Sequence, residues 1–140
     1  MATVAQVRDG IQTALETISG LRSYDVGTGA ERMPCAVVFP RGVDRATVGA
    51  RAGAAYTMRF VVEVWVPLSP SLRHAQDILD AYCDPRAATS IEAAIESDVT
   101  LGGIVDSTMV AGFEAYGFGT FNSDSINALT ARFPVEAIGA

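Results

Sequence analysis

The chain has 140 residues, 49% of them apolar, and a formal charge of -6 at pH 7. That length suits one domain whose core needs neither metal nor disulfide support. All ten cationic residues are Arg, and the acidic balance disfavours a protein whose main task is to grip nucleic-acid phosphates.

Cys35 and Cys83 lie far apart in different predicted elements, match no zinc spacing, and read as buried reduced thiols. The amino terminus enters a charged amphipathic stretch rather than an apolar signal core. Nowhere is there a run of about 20 apolar residues, so no membrane span is expected and synthesis in the cytoplasm is.

In chain order, Val4, Val7, Ile11, Ala14, Leu15 and Ile18 recur at three and four and predict a first helix, ended by Gly20 in a left-handed cap. Gly10 falls on its other side, tolerated at about 1 kcal/mol. A short extended piece over 21–26 leads to a turn at Gly27 and Gly29. Cys35-Ala36-Val37-Val38-Phe39, bounded by Pro34 and Pro40, predicts a strand that starts and stops abruptly. Residues 41–53 then place Arg41, Arg45 and Arg51 among glycines and alanines with Asp44 alone for an acid. This predicts a mobile hairpin or arm that orders on a partner, with a plain surface loop as the alternative.

Tyr56, Met58, Phe60, Val62, Val64 and Val66 alternate with Thr57, Arg59, Val61, Glu63 and Trp65, the period of a strand with one apolar face. This strand is the expected spine. Ser69 is a candidate N-cap and Pro70 a first helical residue for a second helix, whose stripe is Leu72, Ala75, Ile78, Leu79 and Tyr82. Asp84-Pro85 stops it. Thr89 and Glu92 form the pattern of a capping box for a short third helix burying Ile91, Ala94 and Ile95. Residues 104–116 alternate as a strand with Val105, Ser107, Met109, Ala111 and Phe113 on one face, and 117–127 read as a hairpin connection. The last strand, 128–138, has Leu129, Ala131, Phe133, Val135 and Ala137 as its apolar face, and Pro134 demands an edge or a bulge there.

Arg59 and Glu63 stand four apart on the spine, as Arg132 and Glu136 do on the last strand. Antiparallel pairing would set each Arg across from the other strand's Glu.

Catalytic chemistry is sparse. Without Lys there is no P-loop lysine, Schiff base or Ser-Lys dyad. His74 is the single histidine, it sits on the second predicted helix, and no nucleophile-elbow motif accompanies it. Asp77, Asp80, Asp84, Glu92, Glu96 and Asp98 match no calcium loop and read as a water-facing surface. The glycine pairs Gly27/Gly29 and Gly117/Gly119 lack a dinucleotide fingerprint and read as turns. We therefore assign no catalytic residue, metal or cofactor, and expect binding or assembly.

The order of several segments carries a resemblance. Residues 14–22 (Ala-Leu-Glu-Thr-Ile-Ser-Gly-Leu-Arg) with Tyr24 after them, Ala36-Val37-Val38, the spine Phe60-Val61-Val62-Glu63-Val64-Trp65-Val66, Leu79-Asp80-Ala81-Tyr82 with Asp84-Pro85, residues 90–96, Thr100-Leu101-Gly102-Gly103 and Ala115-Tyr116-Gly117 follow one another over nearly the whole chain. In that order the chain resembles the tail terminator, or tail completion, proteins of long-tailed bacteriophages, particularly the actinobacteriophage type. It departs from them in 41–53 and in 117–127, where Phe118 and Phe121 replace small or polar residues.

The resemblance implies a virion protein of the tail or neck. It implies a homohexameric ring that binds the last ring of tail-tube protein, stops polymerisation and presents a surface to the head-closure or connector protein, while DNA passes through the lumen unbound. A head-closure or neck connector, or a tail-tube protein, would share this ring logic, and a small-molecule binding module is the alternative of a different class. Candidate partner contacts are Arg41, Arg45, Arg51, Arg59, Glu63, Trp65, Arg132 and Glu136, with Trp65 packed beneath the first helix as the competing placement. Acids lining the lumen would let DNA slide. The expected fold is α+β: an antiparallel sheet of about four strands, two main helices on one face, a short third helix nearby and the mobile arm.

Overall fold

Nine elements follow one another in the computed structural model, which describes residues 3–24, 33–45, 56–68, 71–121 and 126–139. They are α1 (Val4–Leu15), β1 (Arg22–Tyr24), β2 (Cys35–Arg45), β3 (Tyr56–Pro67), α2 (Leu72–Cys83), α3 (Ile91–Glu96), β4 (Ser107–Val110), β5 (Glu114–Phe121) and β6 (Ile126–Ile138). Each helix begins at a hydroxyl that accepts from an amide three residues on: Thr3 from Gln6, Ser71 from His74, Ser90 from Ala93. At α1 the Gln6 side chain also accepts from the Thr3 amide, so the reciprocal box stands there and not at Thr89, where it was expected. The expected cap at Ser69 and Pro70 lies outside the described residues.

The sheet runs β1-β2-β3-β6, and β4 and β5 share the outer edge of β6. It is mixed, because β1 pairs parallel to β2 while the other pairs are antiparallel. The α+β class is as expected, but with six strands rather than about four. Three differences have local causes. A bulge between Pro40 and Gly42 lets β2 continue past Pro40 instead of stopping, which brings Arg41 and Arg45 into a strand; 46–55, with Arg51, lie outside the described residues. The predicted strand over 104–116 breaks after Val110, where Gly112 takes φ 91°, and resumes as β5 through the supposed hairpin at Gly117. Within β4 the inward set is Thr108 and Val110 rather than Ser107 and Met109: the Thr108 hydroxyl donates to the Val99 carbonyl, which permits its burial. Pro134 sits at the gap between β4 and β5, where its carbonyl accepts from Ala111 and the missing donor leaves no partner wanting.

The core lies between the sheet and all three helices. Met58, Phe60, Val62, Val64 and Val66 of β3 and Leu129, Ala131, Phe133, Val135 and Ala137 of β6 are buried against Val7, Ile11 and Leu15 of α1, Ala75, Leu79 and Tyr82 of α2, and Ile91 and Ile95 of α3. The predicted stripes thus hold, save that Leu72 at the start of α2 is exposed. The regular helix α1 ends at Leu15, before Ile18, and Gly20 takes φ 82° beyond it. Gly10 is not merely tolerated: a Cβ there would stand 3.1 Å from Leu101 Cβ and 3.2 Å from Ile104 Cδ1, so the turn at 101–104 packs on bare helix backbone.

Candidate functional site

Because α1, α2 and α3 all pack on one side, the other side of the sheet carries no helix among the described residues. Side chains reach that side at alternate positions: Val37 and Phe39 from β2, Arg59, Val61, Glu63 and Trp65 from β3, Arg132, Pro134 and Glu136 from β6. The antiparallel register sets Glu63 opposite Arg132 and Arg59 opposite Glu136, as the charge spacing predicts. Six of the eight predicted contact residues, Arg41, Arg59, Glu63, Trp65, Arg132 and Glu136, thereby share one surface. Arg45 is placed at the end of β2, and Arg51 lies outside the described residues.

Ion pairs lace this surface. Arg132 Nε lies 3.0 Å from Glu63 Oε2, the Glu63 side chain keeping 15% of its exposure. Arg59 turns away from Glu136 to Asp44, 3.2 Å from Nε, and a Cβ at Gly42 would meet its guanidinium at 2.8 Å, so glycine at the bulge lets the guanidinium cross the β2 backbone. Arg41 reaches Glu114, 3.9 Å away on β5. Two strands intervene between β2 and β5, a distance of about 14 Å in a flat sheet, so these two side chains extend towards each other over the curled surface. Under this polar layer Val37 and Val61 are buried although none of α1, α2 and α3 covers them. Phe39, Arg41, Val61, Glu63 and Arg132 line a depression of about 350 Å³ here.

A double-mutant cycle on Glu63 and Arg132 is expected to give coupling of about 0.5–1 kcal/mol, and one on Arg59 and Glu136 less than about 0.3 kcal/mol. Equal couplings would contradict the partner exchange at Arg59.

Trp65 does not lie beneath α1. Its alternation places it on the helix-free side, over a small buried cluster of Cys35 and Ala128 with Tyr24 and Met33. A Cβ at Gly119 would stand 3.0 Å from its ring, so Gly119 makes room for the indole where the sequence reading saw only a turn. Val37, Phe39, Asp44, Glu114 and Pro134 were also missed as members of this surface. Alternation through β2 would have found the first two, but the bulge and the broken edge strand hid Asp44 and Glu114.

Elsewhere the chemistry is closed. His74 is exposed in the first turn of α2. Neither cysteine forms a disulfide and both are buried, and burial, with a smaller contribution from Asp80, pushes the Cys83 thiol up to about 12. A thiol reagent at pH 8 is expected to modify neither cysteine in the folded protein and both after denaturation; rapid native labelling would contradict this packing. Among the described residues no group of His, Cys, Asp or Glu side chains is arranged to hold a metal, and no helix is long and apolar enough to cross a membrane.

A groove of about 510 Å³ runs between α1 and the turn at 97–104. Its polar groups serve its own walls: Gln6 caps α1, the Thr13 and Thr17 hydroxyls donate to helix carbonyls, and Ser97 donates to Ala94. Asp98 accepts from the Thr100 hydroxyl and the Thr100 and Gly102 amides, which hold its carboxyl below the usual range. Convergent polar groups aimed at a small ligand are therefore not what this groove offers. In comparison with known proteins, the chain matches no family model and no curated protein.

Proposed function

We propose that the chain is a structural subunit of a long-tailed bacteriophage, copies of which close into a hexameric ring that caps the tail tube, ends its polymerisation and forms the joining surface for the filled head. The observation that carries this reading is the helix-free sheet face: an apolar floor of Val37, Phe39 and Val61, overlaid by Arg-carboxylate pairs and flanked by Trp65. Arg and Trp beside buried aliphatics are the composition of a protein interface, whereas a catalytic cleft gathers perturbed acids, bases and nucleophiles.

The layered fold also suits a cap. A tube grows because each ring offers the next the same complementary surface, so a terminator must match that surface on one side and differ on the other. Here one side of the sheet is a paired-charge face and the opposite side is three helices bearing exposed acids such as Asp77 and Asp80. In this reading the partners are other copies, the tail-tube protein and a head-closure protein, the location is the virion tail or neck, and acids facing the lumen let DNA pass without sticking.

Sedimentation with preformed tubes tests the reading. The amount of chain pelleted per tube is expected to be independent of tube length, as for an end-binder. Pelleting in proportion to tube mass, or none at all, would overturn it.

A further inference from the structure

The two margins of the sheet differ in kind. On one side, β1 pairs only with Cys35, Ala36 and Val37, and among the described residues no strand pairs the outer edge of β2 beyond Val37. On the other, β5 is hydrogen-bonded to β6 alone among the described residues. An edge left open is normally guarded by charge or proline. On β2 the edge past Val37 is basic, with Arg41 at the bulge and Arg45 at the strand's end, which disfavours pairing with another copy's β2. β5 has a bulge near its start but a single charged residue, Glu114, and no proline, and large apolar side chains stand out along that margin: Phe118 is 68% exposed, Phe113 and Met109 50% each.

Charge is partitioned between the same margins. Among the described residues of β1, β2 and the start of β3, four arginines, Arg22, Arg41, Arg45 and Arg59, stand against Asp44 alone. The described residues of 87–131, which run through α3, β4 and β5 into β6, carry five acids and no cation. Asp77 and Asp80 of α2 add to that field, and Tyr116 of β5 donates to Asp80 at 2.7 Å.

We infer that copies of this chain join edge to edge, the open strand β5 of one copy pairing with the open half of β2 in the next. An extended strand is the partner that the unpaired backbone of β5 accepts, and the opposite sign of the two margins selects the unlike edge. Pairing β5 with β5, or β2 with β2, sets like charges together. A contact between unlike surfaces is heterologous and propagates around a ring, so this inference deepens the ring reading and rests on it.

The test uses two substitutions at exposed positions, Phe118→Arg on β5 and Val43→Asp on β2, with thermal melts to show that each variant folds. By native mass measurement the wild type is expected to assemble beyond a dimer, and each variant alone to lose that assembly. A one-to-one mixture is expected to form heterodimers and stop, because one intact edge remains on each partner. Wild-type assembly retained by either variant, a mixture without heterodimers, or a wild type that stays monomeric at its highest soluble concentration would overturn edge pairing. The capping role is read separately: edge-joined assemblies that leave tubes untouched would refute the cap while sparing the contact, and tube capping by the two variants would do the reverse.

Discussion

Replacing Phe133 by alanine is expected to destabilise the domain by about 3–5 kcal/mol. Phe133 is 1% exposed on β6, the strand that pairs with β3 on one side and with β4 and β5 on the other. Its ring faces the helices and meets Phe113 at 6.4 Å between centroids. β6 lies between β3 and the outer strands β4 and β5 and under α2, so little collapse into the vacated space is expected and the cavity cost adds to the lost transfer energy. Such a loss is a large part of the 5–15 kcal/mol that holds a typical domain together. Urea denaturation should show a lower midpoint with unchanged slope. A loss below about 1 kcal/mol would mean that the layer between sheet and helices is looser than described.

Gly119→Val is expected to cost about 2 kcal/mol and to shift the emission of the single tryptophan to the red. The reason is local. A first side-chain carbon at 119 already stands 3.0 Å from two Trp65 ring atoms and 3.1 Å from Thr130 Cγ2, and valine adds two methyl groups. The indole must leave the cluster with Cys35 and Ala128, which exposes it to water on the proposed contact face. Unchanged emission and stability would place Trp65 elsewhere. The smaller Gly119→Ala change is expected to move both quantities in the same direction and less.

Much of the fold was legible because strong alternation survives into packing. In β3 and β6 every second residue is apolar, so burial and facing were readable, and the like spacing of Arg and Glu on both strands pointed to the observed register. Where backbone irregularity intervenes, the reading failed. The bulge at Pro40 and Gly42 carried β2 past a proline that looked like a stop, so Asp44 fell into a supposed loop and its pairing with Arg59 was invisible. The break at Gly112 divided one expected strand into two, and satisfaction of Thr108 by Val99 let a hydroxyl take an inward position on β4. Trp65 could be assigned to a strand face from its alternation, but which face the helices would cover is decided by tertiary packing, which local pattern does not contain. The contact residues were legible as Arg and Glu on strands; their gathering on one surface required the sheet order.

The most direct measurement of the proposed role is the length distribution of tail tubes polymerised in the presence of increasing amounts of this protein, imaged by electron microscopy. If rings of the chain end tube growth, mean length falls as the ratio of chain to tube protein rises, with extra density at one tube end. Tubes of unchanged length at a large excess of the chain would contradict the proposal.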